Sequence, residues 1–73
     1  MIYKVSWYNE DAYGWMEHIS IILQSDLNKT KVFEEAISLI REKYPKIDFD
    51  QYEHTEVLNI TNDKVLSISM GTL

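Results

Sequence analysis

No cysteine occurs in the sequence. A small secreted domain usually relies on disulfides, because its core alone supplies little stability, so their absence points to the reducing cytoplasm. Glycine is nearly as scarce, with only Gly14 and Gly71. No glycine-rich loop can bring backbone N–H groups around a phosphate, and dinucleotide or nucleotide binding is set aside. There is no Gly-x-Ser-x-Gly elbow, and the serines at 6, 20, 67 and 69 fall inside strand-like segments, so nucleophilic catalysis has no starting point. Basic residues are outnumbered, with seven Lys and Arg against twelve Asp and Glu, a net charge of −5 and a pI near 4.8. That balance excludes binding nucleic acid through phosphate contacts and adhesion to an anionic membrane. The longest apolar run, Ile19–Leu23, is broken by Ser20 and is too short to span a bilayer. Met1–Lys4 lacks the apolar stretch of a signal peptide.

What is present suits one folded unit. Seventy-three residues fit a single domain over 1–73, and a 45% hydrophobic content with abundant aromatic and β-branched residues argues against disorder. Lysine outnumbers arginine six to one and isoleucine is frequent, a bias common in AT-rich genomes such as those of low-GC bacteria and their phages.

Four strands and one helix are expected. Ile2–Tyr8 alternates, with Tyr3, Val5 and Trp7 on the core face. Asn9–Gly14 reads as a polar hairpin loop, and Trp15–Gln24 as a second strand with Ile19, Ile21, Leu23 and Trp15 on one face; Glu17 falls on that face too, against the pattern. Asn28 or Thr30 can cap a helix over Lys31–Tyr44, whose stripe is Phe33, Ala36, Ile37, Ile40 and Tyr44, widened by Val32 and Leu39. Glu34 and Glu35 are expected near its N-terminus, and Pro45 stops it. Lys46–Gln51 connects, with Ile47 and Phe49 pinning it over the core. Tyr52–Thr61 and Lys64–Met70 read as the third and fourth strands. An odd loop of Asn62, Asp63 and Lys64 would turn Leu58, Ile60, Leu66 and Ile68 toward the helix, and Val57 and Val65 away.

The expected class is therefore α+β, ordered β-β-α-β-β, with one helix on one face of a four-stranded, mostly antiparallel sheet. At fold level this resembles a small β-grasp, which would place the first and fourth strands side by side, parallel and central; a sheet with the second and third strands adjacent is the other arrangement.

Chemistry finds little footing. His18 and His54 with Glu17 or Glu56 would make a metal set only if their strands adjoined, and their spacing matches no ligand motif. Asp48-x-Asp50-x-x-Glu53 lacks the glycine and terminal glutamate of a calcium loop. No metal and no cofactor is expected. One helix on one sheet leaves little room for a pocket of the usual ~300 Å3, so the chain is not read as an enzyme.

The signal that remains concerns surfaces. Asp48, Asp50, Glu53 and Glu56 lie close together, with Lys46 the one basic neighbour, and Glu10, Asp11 and Glu17 group around the first hairpin beside Tyr13 and Trp15. Tyrosine and tryptophan bury much area for little entropy, which makes them favoured anchors at interfaces. Glu10, Asp11, Tyr13, Trp15, Asp48, Asp50, Glu53 and Glu56 are the expected partner-binding residues. In size, charge and composition the chain resembles phage-encoded inhibitors of host defence, such as anti-restriction and anti-CRISPR proteins. That resemblance, one of class, implies an acidic nucleic-acid mimic that blocks a larger protein with a basic surface. The alternative is an antitoxin-like or regulatory subunit, or a homodimer pairing through a sheet edge.

Overall fold

The alternation of aromatic and β-branched residues in the first third of the chain builds an antiparallel hairpin of β1 (Ile2–Asp11) and β2 (Gly14–Gln24). The computed structural model describes residues 1–11 and 14–62, giving the backbone alone at 11 and 15–17. After the hairpin come α1 (Lys29–Lys43), a 3-10 turn (Phe49–Gln51) and β3 (His54–Asn59). The protein is thus a small α+β fold: one helix and, among the described residues, a three-stranded antiparallel sheet ordered β2-β1-β3. The expected fourth strand, Lys64–Met70, lies outside the described residues.

β1 is the central strand, with β2 on one side and β3 on the other over Tyr3–Tyr8. Neither expected strand order matches. The place beside β1 that a β-grasp-like order gives to the fourth strand is filled by β3, and β2 and β3 are separated by β1 rather than adjacent.

One face of the sheet is the core. Tyr3, Val5 and Trp7 are buried as their alternation foretold, together with Leu23 from β2 and Val32, Ala36 and Ile40 from α1. Trp7 lies at its centre, with ring centroids 5.7 Å from Phe33 and 4.8 Å from Phe49. Ile47 and Phe49 pack on this cluster from the connector, as expected, and the Arg41 guanidinium lies over the Phe49 ring at 5.3 Å.

β2 carries a bulge. Trp7 pairs with Ile19 but Tyr8 pairs with Glu17, so His18 is an extra residue. The inserted residue breaks the period of two, and Glu17 no longer shares the backbone phase of Ile19 and Ile21. The strict alternation that put Glu17 and Trp15 in phase with Ile19 and Ile21 therefore does not run through β2.

The helix begins two residues earlier than its periodicity suggested. Asn28 is the cap, its Oδ1 accepting from the Lys31 N–H at 3.0 Å. The first turn therefore holds no acid, and Glu34 and Glu35 fall in the second. Glu35 instead accepts from the buried Ser25 hydroxyl at 2.9 Å, while Ser25 Oγ accepts from the Leu27 N–H and the Tyr3 hydroxyl donates to the Leu27 carbonyl. These bonds fix the β2–α1 turn. The buried line is Val32, Ala36 and Ile40, spaced by four; Phe33 and Ile37 flank it half-buried. Tyr44, placed in the stripe by its spacing, is 55% exposed, because the helix ends there ahead of Pro45.

The register of β3 reverses the expected facing. Val5 pairs with Val57, which puts Val57 on the core, and Leu58, opposite Lys4, is 42% exposed on the helix-free face. Ile60 is buried, but beyond the strand end and outside the central cluster, its N–H donating to the Ile2 carbonyl at 2.8 Å. Leu66, Ile68 and Val65 lie outside the described residues. No described helix is long and apolar enough to cross a membrane.

Candidate functional site

β1 and β3, which carry acids from the two groups that are separate in sequence, are paired, and Glu10 and Glu53 fall at the same end of that pair. β1 runs out through Asn9 and Glu10 at the point where β3 begins, with Tyr8 paired to His54. There the Asn9 side-chain oxygen accepts a hydrogen bond from the Glu53 N–H at 2.6 Å. This bond ties the approach to β3 onto the end of β1. Glu53 is thereby held against the residue that precedes Glu10, and the Glu10 and Glu53 side chains are both exposed. The other acids approach the same end along the connector. Asp48 caps the 3-10 turn by accepting from the Asp50 N–H at 3.0 Å, and both carboxylates are exposed. Glu56, two residues into β3, is exposed opposite Ser6 on the helix-free face.

Of the remaining expected residues, Asp11 pairs with Gly14 and Trp15 with Glu10 in the backbone ladder, and Tyr13 lies outside the described residues. Gly14 closes the hairpin with φ +119°, a conformation strained for any residue bearing a Cβ. Glu10 and Glu53 thus stand at one end of the β1–β3 pair, with Asp48 and Asp50 on the connector that leads to it and Glu56 set back along β3.

Aromatic and imidazole rings border this acidic end. Tyr8 stacks on His54 with centroids 5.6 Å apart at 27°, and His18 lies 5.7 Å from Tyr52. The His54 Nε2 is 3.7 Å from a Glu53 carboxylate oxygen, an ion pair when the ring is protonated. Tyr8, Asn9 and Tyr52 were not among the expected binding residues. Alternation already placed Tyr8 away from the core, but its neighbour His54, and the Asn9 clip, follow only from β3 pairing with β1. The two histidines stand on strands either side of β1.

Charge is distributed unevenly through the chain. Residues 29–46, the helix and the start of the connector, contain Lys29, Lys31, Arg41, Lys43 and Lys46 against Glu34, Glu35 and Glu42. Outside them stand nine of the twelve acids and only Lys4 and Lys64 of the bases. The negative net charge therefore belongs to the residues outside 29–46.

No family model, curated protein or solved structure matches the chain. Beyond the acidic end, the second surface feature is a groove of about 500 Å3 between β2 and the C-terminal half of α1, where Ile19, Ile21, Leu39, Tyr44 and Ile47 line an apolar wall beside Lys43.

Proposed function

We propose that the protein acts by binding rather than by catalysis, and that it presents the acidic end of its sheet to a larger protein with a basic surface. The observation that supports this reading is the Asn9–Glu53 hydrogen bond, which ties together two segments that each carry acids. The uneven charge supports it: a concentrated negative field steers a basic partner toward that end and raises the rate of encounter. A row of carboxylates can occupy a channel built for nucleic-acid phosphates, and bordering rings such as Tyr8 and Tyr52 supply the apolar contact that holds a complex once formed. On this reading the protein is a cytoplasmic inhibitor or regulator, encoded by a phage or other mobile element and directed at a nucleic-acid-binding defence protein, in the manner of anti-restriction and anti-CRISPR proteins.

Capture from a cell lysate at low salt, followed by stepwise salt elution, tests the proposal. The expected result is a basic protein that is released as salt rises. Its association with the Asp50→Lys/Glu53→Lys variant is expected to be slower by about tenfold or more at low ionic strength. A captured partner whose association is unchanged by that double reversal overturns the acidic-surface reading. The second reading, an antitoxin-like or regulatory subunit held by sheet pairing, would then lead; the outer edge of β2, unpaired among the described residues, favours it.

A further inference from the structure

The hydrogen-bond phase of β2 shows which of its backbone groups point away from β1. The Ser25 N–H donates to the Met1 carbonyl at 2.8 Å, so Met1 and Ser25 form a bonded pair of the antiparallel ladder. Bonded and non-bonded pairs alternate. The bonded pairs are therefore Tyr3–Leu23, Val5–Ile21 and Trp7–Ile19, and the residues between them, Ser20, Ile22 and Gln24, turn their N–H and C=O groups to the outer edge. All three are exposed, Ile22 at 40%, and among the described residues no strand lies beyond them.

Such an edge is usually guarded by charge. Residues 18–24, His-Ile-Ser-Ile-Ile-Leu-Gln, contain no Asp, Glu, Lys or Arg, although 26% of the chain is charged. Two copies of a protein of charge −5 repel, but not along this seam. β3, by contrast, carries Glu56 at its middle.

We infer that β2 pairs with β2 of a second copy, antiparallel about a two-fold axis at Ile22. In that register Ser20 meets the second copy's Gln24, Ile22 meets Ile22, and Gln24 meets Ser20. Every outward N–H and C=O of the three residues gains a partner. On the helix side Ile21 comes opposite Leu23 of the second copy, extending the apolar wall beside the half-exposed Leu39. On the helix-free side the two Ile22 side chains cover each other. The result is one sheet running through both molecules, on a surface separate from the acidic end.

Sedimentation of the protein and of Ile22→Lys decides it. Because Ile22 is half-exposed on the helix-free face, the lysine variant is expected to keep the circular dichroism spectrum of the parent. The parent is expected to sediment at twice 8.7 kDa, and Ile22→Lys at that mass, its association weakened at least about tenfold by two ammonium groups facing across the axis. Mixing Ile22→Lys with Ile22→Glu is expected to restore the dimer. Should Ile22→Lys fail to fold, Ile22→Cys takes its place: with no other cysteine in the chain, oxidation is expected to give a covalent dimer under native conditions and none in denaturant. A parent that stays monomeric up to about 1 mM, the range of a very weak complex, overturns the inference. So does a dimer that survives Ile22→Lys, a charge-swapped mixture that stays monomeric, or a cysteine variant that does not cross-link.

Discussion

Trp7 is the residue on which the core turns, and it carries an unusual burden. It is fully buried, and its indole N–H has no hydrogen-bond partner among the described residues. A buried donor left without an acceptor costs about 1–3 kcal/mol. Trp7→Phe gives up ring volume but also removes that donor, so its net loss is expected to fall well short of the about 3–5 kcal/mol typical of Trp→Ala in a core. Urea unfolding of Trp7→Phe and Trp7→Ala compares them, and equal losses would show that the N–H carries no penalty. Along the helix, Ile40 is buried and Ile37 is partly wet. Ile40→Ala is expected to cost about 2–5 kcal/mol, and Ile37→Ala measurably less, in the same unfolding experiment. Spacing identified both as facing the sheet but could not rank them, because Val32, Ala36 and Ile40 become the central line only once the helix is set down on β1.

At the scale of elements, the signals that were legible in the sequence are local ones. Alternation in Ile2–Tyr8 and the capping chemistry of Asn28 depend on neighbours within a few positions, and both are realised. The facing of Val57 and Leu58 is not legible locally because it depends on a partner strand at the other end of the chain: a hairpin with residues 64–70 predicts one facing, and β1 imposes the other through Val5. The bulge at His18 announced itself only as a misplaced Glu17. The candidate site divides in the same way: the acids are legible in the composition, but that Glu10 and Glu53 fall at one end follows only from the pairing of β1 with β3. The cap offers a direct test of the local part. Asn28→Ala removes the acceptor for the Lys31 N–H and is expected to cost about 1 kcal/mol, and Asn28→Gly only a few tenths. Thermal melting of the three proteins should rank them parent, glycine, alanine, and an alanine variant as stable as the parent would contradict the capping role.

For the whole molecule, the acidic end and the β2 edge make separable demands on solution conditions. Attraction between the acidic end and a basic partner is screened within about 8 Å at physiological salt, whereas pairing along an uncharged edge is not. Raising salt is therefore expected to release a partner while leaving a dimer intact. The central position of β1 has a further consequence, one of timing. β1 and β2 are joined by a short loop and can find each other early, but the other side of β1 is completed by a segment far along the chain: Ile2 bonds to Thr61, 59 positions away. Closing so long a loop is an entropic cost met before any of its contacts stabilise the chain, so arrival of β3 is the slow event of folding. Until then β1 has a bare side carrying Ile2, Lys4, Ser6 and Tyr8, and the β1–β2 hairpin is a two-stranded ribbon with both edges open. A nascent or refolding chain spends that interval exposed to pairing with the wrong strand, and Lys4, in the middle of the waiting side, is the one formal charge there to discourage it.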